Sequence, residues 1–375
     1  MSDLQQQVQD LLDGLVATDA EDGLQAAVYR RGELVVDAVA GTAVPGADHP
    51  VTPDTLFFVA SAAKAITATV VHVLVERGAF GYDTPVVELW PEYGARGKQA
   101  TTVRHLLTHS AGVPSLPPGT TREDLTDWDA VCAVLADTAP VWAPGEGTGY
   151  HAVTFGFLLG EVVRRATGKP ISQVLAEEVA APLGVADELF LGVPEAAHAR
   201  LARFVDDPGG AAVFAALPAD LPLFRFGGRE LVPDAALANR PDLLRHDVPG
   251  MGTASARALA RMYAALRDEV DGVRLVSPAR LAEITTVAPT GPGARTDRVT
   301  GAPATYGLGW SVGTLGQAPA APTVFGMPGI GGSAAYADTA TGIAVAVTKN
   351  HLNPVEMTAF EQVHRLATAA LGTGG

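Results

Sequence analysis

Ser61 and Lys64 stand three residues apart in Phe57-Phe-Val-Ala-Ser-Ala-Ala-Lys64, at the head of a long apolar run. On a helix that spacing puts both side chains on one face, within reach of each other. A serine hydroxyl beside a lysine becomes a nucleophile when the lysine is neutral. Near pH 7 that happens only where burial or a neighbouring cation disfavours the ammonium form. The residues around Lys64 are small or apolar, as this requires. The head of a helix also offers free backbone N–H groups and a dipole that favours the negative charge developing on an attacked carbonyl oxygen. Without its context, the same tetrapeptide reads as an N-cap serine followed by a surface lysine.

Other side chains that could do chemistry fit their motifs less well. His105 and His109 are four apart and could share a metal, but no Glu separates them and no third ligand is evident. A structural role is expected instead, with His109 hydrogen-bonding loop backbone. Thr108-His-Ser110-Ala-Gly112 imitates a nucleophile elbow but lacks its first glycine and follows a helical stretch. His351 could serve as a triad base, which a serine–lysine pair does not need. Gly329-Ile-Gly-Gly lacks the Gly-Lys-Ser/Thr of a phosphate loop. Cys132, the one cysteine, lies in an apolar helical stretch with no basic neighbour and reads as an inert buried thiol. No metal and no organic cofactor is expected.

Periodicity supplies the elements that must hold the pair. Apolar residues at Leu4, Val8, Leu11, Leu12, Leu15 and Val16 predict a first helix. Two strands, Leu24–Arg30 and Glu33–Val39, are joined at Arg31-Gly32 as a hairpin. A helix from about Ser61 to Arg77 stops at Gly78. Further helices are expected at 102–108, 127–137, 153–167, 171–181, 255–267, 277–285 and 354–371. Strands are expected at 306–312, 323–327, 333–337 and 342–349, the last two joined by a turn at Asp338–Gly342. Residues 208–250, rich in Pro, Gly and Ala with weak periodicity, read as a loop-rich insertion that shapes a pocket. Strands at both ends with helices between predict an α+β fold: an antiparallel sheet from both chain ends, flanked by helices, with an inserted mainly helical region. The expected division is 1–85 with 252–375 for the sheet region and 86–251 for the helical one.

Bulk composition narrows the partners. At 375 residues the chain is long enough for two structural units, and with 47% hydrophobic and 18% charged residues it is globular. A formal charge of −15 argues against nucleic acid and, more mildly, against an anionic membrane surface. The first residues lack a signal peptide's basic and apolar regions, and no apolar run approaches a membrane span, so a cytoplasmic protein is expected.

Ser-x-x-Lys is a signature of serine β-lactamases and penicillin-binding proteins, and several further blocks follow it in order. These are Val103-Arg-His-Leu-Leu-Thr-His109-Ser-Ala-Gly112, Trp142-Ala-Pro-Gly145 with Tyr150-His-Ala-Val-Thr-Phe-Gly156, and Gly252-Thr-Ala-Ser. Tyr306-Gly-Leu-Gly-Trp310 and Phe325-Gly-Met-Pro-Gly329-Ile-Gly-Gly-Ser333 complete the set. From about Leu24 to Asn350 the chain resembles class C β-lactamases, D-alanyl-D-alanine carboxypeptidases and, most of all, the β-lactamase-like family VIII carboxylesterases. The resemblance implies a β-lactamase/DD-peptidase-like fold, Ser61 as nucleophile, and Lys64 with Tyr150 as the groups that move its proton. Which of Lys64 and Tyr150 is the formal base stays open. It also implies an oxyanion hole from the backbone N–H groups of Ser61 and Ile330, with Met327 and Gly329 lining the substrate. His151, beside Tyr150, is either a further substrate contact or an exposed loop histidine.

Two departures bear on substrate. Ala152 stands where lactamases carry an asparagine, and Met327 where they carry a lysine. Met327 cannot anchor a β-lactam carboxylate, and Pro328 removes a hydroxyl donor, so small, neutral or apolar esters are the expected substrates. The expectation is a carboxylesterase acting on a small-molecule ester or acyl substrate. Acyl transfer through the same acyl-serine, or a non-catalytic binding protein of the same fold, are the alternatives.

Overall fold

The computed structural model describes residues 3–288, 296–313 and 323–372. Helix α1 (Asp3–Ala17) leads into strands β1 (Gly23–Arg30) and β2 (Glu33–Gly41). Helices α2 (Ala63–Glu76), α3 (Val103–Leu107), α4 (Trp128–Asp137), α5 (Thr154–Thr167) and α6 (Ala256–Arg267) follow. Strands β3 (Ser311–Val312), β4 (Val324–Pro328), β5 (Ala334–Asp338) and β6 (Ile343–Lys349) precede the closing helix α7 (Thr358–Leu371). The strands form one six-stranded antiparallel sheet in the order β2-β1-β6-β5-β4-β3. Leu24 pairs with Lys349 and Arg30 with Ile343, so the sheet is built from both ends of the chain, as expected.

Alternation along each strand sorts the side chains onto two faces. Leu24, Ala26 and Val28 of β1, with Val345 and Val347 of β6, pack beneath α1 and α7 through Leu4, Val8, Leu12, Phe360 and Val363. The opposite face carries Ala27, Ala335, Ala337, Ala344 and Ala346, small enough for α6 to lie close on the sheet. The β1–β2 turn uses Arg31 and Gly32 at φ 49° and 86°, the two positive angles that match a two-residue hairpin to strand twist.

Helix α2 runs through the interior. Every residue from Ala63 to Val75 is buried, the pattern of a helix that meets protein on all sides. Such a mounting fixes whatever projects from its first turn.

Three elements differ from the sequence reading. The expected strand 306–312 is confined to Ser311–Val312 because the chain before it crosses other elements at its glycines. A Cβ on Gly307 would lie 2.5 Å from the Ile284 carbonyl, and one on Gly309 2.4 Å from Ala68 Cβ. The last helix starts at Thr358, since Pro354 follows a short strand, His351–Leu352, and an Asn353 side-chain turn. Residues 208–250 hold five short helical pieces, at Pro208–Ala215, Pro222–Gly227, Arg229–Leu231, Ala235–Ala238 and Pro241–Leu244. Three of them begin on proline, which is suited to a first helical position where its missing N–H costs nothing. No helix among the described residues is long and apolar enough to cross a membrane.

Candidate active site

Ser61 lies in a short 3-10 turn, Ala60–Ala62, immediately before α2. The segment entering it is held along the 252–254 segment. Phe57 and Phe58 pair with Ala254 and Thr253, and the Val59 N–H donates to the Gly252 carbonyl at 2.8 Å. Ala60 then takes φ 44°, an unusual left-handed angle for a residue with a Cβ. A residue held there directly before a nucleophile candidate marks a tightly specified turn. Ser61 itself is partly exposed, while Ala60 and Ala62 are buried.

Lys64 is fully buried. Its Nζ donates to Ser61 Oγ at 3.0 Å and to the Gly250 carbonyl at 3.2 Å. Burial alone draws its pKa from the ordinary lysine range to about 7, so an appreciable fraction is neutral near neutral pH. Thr67, one turn on, donates to the Pro249 carbonyl at 2.6 Å. Helix α2 thus grips two consecutive carbonyls of one segment. That segment passes between α2 and α5 only because position 156 is glycine: a Cβ there would lie 2.2 Å from the Gly250 nitrogen.

Tyr150 approaches the same pair from the other side. Its hydroxyl neighbours that of Ser61, and the Lys64 Nζ lies 5.0 Å from its ring centroid. Burial, opposed by the neighbouring Ser61 hydroxyl and reinforced by the Asp297 carboxylate, holds the phenol's pKa above the usual tyrosine range. The backbone on both sides of Tyr150 hangs from His109. The Gly149 N–H donates to the His109 carbonyl at 3.0 Å, and the His151 N–H donates to His109 Nδ1 at 3.1 Å. His109 therefore works on loop backbone. Accepting at Nδ1 leaves its proton on Nε2, and burial keeps the ring neutral.

The Met327–Ser333 stretch closes the site from the sheet. A Cβ on Gly329 would sit 2.3 Å from the Val59 carbonyl, so only glycine lets β4 end against the turn carrying Ser61. The Gly329 N–H donates to Ser333 at 2.7 Å and the Gly332 N–H to Gly329 at 3.1 Å. Neither the Ser61 nor the Ile330 N–H has a backbone acceptor among the described residues. N–H groups left without a backbone acceptor are the kind that suits an oxyanion.

Two residues expected at the substrate lie elsewhere. His151 is buried, with Nδ1 donating to Gly149 at 2.6 Å and Nε2 accepting from Val113 at 3.1 Å. With both nitrogens used by backbone, and its pKa held down to about 4 mainly by desolvation, it shapes the loop and offers substrate nothing. Met327 is buried in the core rather than lining an open pocket. His105 closes a capping box on Thr102, and no metal-ligating cluster occurs among the described residues. Cys132 is buried, and desolvation raises its thiol pKa, as its apolar stretch suggested. His351 pairs with Asp22 at 2.7 Å and plays no part at Ser61.

Sequence reasoning passed over Gly250, Asp297 and Tyr306 as site residues. Gly250 acts through its carbonyl, which carries no side-chain signature. Asp297 sits in a turn with no periodicity, and Tyr306 appeared only as part of a block.

The Beta-lactamase family matches this chain over residues 8–370. The chain is 36% identical to the esterase/beta-lactamase LipL of Mycobacterium tuberculosis over 88% of its own length and 78% of the relative's. The solved structure of a family VIII carboxylesterase superposes with a TM-score of 0.84 at 30% identity, covering 96% of this chain and 98% of the other. A penicillin-binding protein homolog from Caulobacter crescentus gives a TM-score of 0.83 at 31% identity, over 99% and 98% of the two chains.

Proposed function

The chain belongs to the beta-lactamase family and is a hydrolase, and from that premise we propose that it is a carboxylesterase working through an acyl-Ser61 intermediate on small, neutral or apolar esters. The observation that carries this reading is the buried Lys64, 3.0 Å from Ser61 Oγ with a pKa near 7. Ser61 Oγ attacks the ester carbonyl carbon as its proton passes to Lys64 Nζ. The Ser61 and Ile330 N–H groups hold the oxyanion. Collapse breaks the bond to the alcohol oxygen, which takes a proton from the Tyr150 hydroxyl, and Lys64 returns the proton to Tyr150. Water then attacks the acyl carbonyl as its proton passes to the neutral lysine; collapse breaks the bond to Ser61 Oγ, which takes that proton back from Lys64 as the acid leaves.

The neutral-substrate part rests on the small and apolar residues packed around Ser61 and Lys64. The test is an intact-mass time course with p-nitrophenyl butyrate on wild type and Ser61→Ala. A butyryl adduct on wild type alone, lost rapidly in water, supports the esterase. An adduct that persists in water and leaves on adding alcohols or amines makes the protein an acyltransferase. No adduct and no p-nitrophenol release above Ser61→Ala sinks both and leaves a binding protein.

A further inference from the structure

We propose that Asp297 is a positioning residue for the reaction, acting on Tyr150 through Tyr306 and His109; this rests on Ser61, Lys64 and Tyr150 working as described above. Asp297 is buried, and both carboxylate oxygens are engaged. Oδ1 accepts from the N–H groups of Val299 and Thr300, each at 2.8 Å, and Oδ2 accepts from the Tyr306 hydroxyl at 2.9 Å. Tyr306 presents its ring edge to His109, with centroids 4.8 Å apart, and the other ring neighbours of His109 include Tyr150 at 5.0 Å and Phe155 at 4.8 Å. The imidazole is therefore packed among aromatic rings, with Asp297 holding one of them.

The same turn reaches the tyrosine loop a second way. The Arg298 N–H donates to the Thr148 carbonyl at 2.8 Å, and the Arg298 guanidinium lies 5.3 Å from the Trp142 ring. Gly147 and Gly149 have no room for a Cβ against Arg298 and Trp142. Residues 147–151 are thus held from His109 on one side and from the 297–299 turn on the other. The hydroxyl of Tyr150 is as well placed as these two supports are rigid.

Charge adds to position. The titratable groups around Tyr150 are Lys64 from α2, His109 and His151 from the loops, Asp297 and Tyr306 from the turn, and Tyr336 from β5. Of these, the Asp297 carboxylate pushes the phenol toward its protonated form, the form that donates to a leaving alcohol.

The experiment measures kcat, KM and the pH profile of p-nitrophenyl butyrate hydrolysis for wild type, Asp297→Asn and Tyr306→Phe. The rate of Ser61 labelling by a fluorophosphonate is followed in parallel. Asp297→Asn keeps acceptor capacity for the turn but loses the charge. It is expected to lower kcat by about tenfold with KM within about twofold, and to move the basic limb to lower pH. Tyr306→Phe is expected to lower kcat by a few fold and leave the limb in place, because the charge remains. Labelling rates should fall in the same order. Wild-type kcat and basic limb in well-folded Asp297→Asn would overturn the proposal. So would losses in both variants that track the folded fraction alone. If wild type labels at Ser61 but does not hydrolyse the ester, the esterase reading fails and the labelling series alone decides on Asp297. A wild type inert to both reagents overturns both.

Discussion

The Lys64 ammonium nitrogen lies over the Tyr150 ring, 5.0 Å from its centroid, while donating to Ser61 Oγ at 3.0 Å. Among the described residues the lysine has no carboxylate partner; its contacts there are a ring face, a hydroxyl and the Gly250 carbonyl. Neutral Lys64 is therefore reached by losing a proton at near-neutral pH, with no ion pair to break.

This sets the acidic limb of activity. The base is neutral above its pKa and charged below it, so kcat/KM should rise with pH through about 7 and fall roughly tenfold per unit below that. Lys64→Arg, permanently charged, should lose at least about 100-fold in kcat at pH 8. The measurement is a kcat/KM profile from pH 5.5 to 9. A limb near 10 would mean that the lysine titrates as an exposed amine.

The same burial costs stability. Lys64 has its pKa lowered from 10.5 to about 7 on folding. Between those values the unfolded chain binds one proton more than the folded one, so this term makes stability rise with pH across that window. Below about 7 the whole cost is present. Lys64→Met should therefore be inactive yet more stable at pH 7, by about 1–2 kcal/mol, part of the gain being offset by the unmet Gly250 carbonyl. Urea unfolding at pH 7 and pH 10 checks this, and the advantage should shrink at the higher pH.

Gly156→Ala tests whether α5 must let the 249–250 segment through. A Cβ at 2.2 Å from the Gly250 nitrogen and 2.3 Å from the Pro249 carbonyl carbon forces the backbone to shift. An exposed helical glycine would gain about 1 kcal/mol from this change; here a loss of about 2–3 kcal/mol is expected. Moving Gly250 also loosens Lys64, so kcat should fall further than thermal unfolding accounts for.

Acid should unfold the protein through its buried histidines. His72 is fully buried, bonded to Tyr82 and the Leu308 carbonyl at 2.9 Å each, and desolvation lowers its pKa to about 3. His151 is lowered to about 4 and His109 well below 6.5. Below pH 6.5 the unfolded chain takes up protons that the folded chain refuses, so stability falls as pH drops toward 4. Each such group contributes roughly 1.4 kcal/mol per pH unit. Unfolding free energies between pH 4 and 7 give the slope, and His72→Gln should reduce it by about one proton.

The sheet was legible because its strands are β-rich runs bounded by turn residues such as Arg31-Gly32, and α2 because its long apolar run is closed by Gly78. Ser61, Lys64 and Tyr150 were legible as types at a spacing and within a block, and the fold brings them together. His151 and Met327 misled because position in a motif does not say which way a side chain turns. His151 spends both nitrogens on backbone, and Met327 is buried with the core. Asp297 was illegible for a different reason: its partner, Tyr306, is nine residues on across a turn with no period. The short helices of 208–250 escaped because fewer than three turns show no periodicity, although their prolines and the Asp207 and Asp234 caps mark their starts.

The second acceptor of Lys64 is main chain. A mutation can delete a carboxamide in one nucleotide change, but no substitution at position 250 deletes its carbonyl. That contact is thereby insulated from side-chain change at position 250, while the pKa itself follows the burial of Lys64. Substitutions that leave Lys64 buried and keep Gly156 and Gly250 should therefore leave the acidic limb fixed.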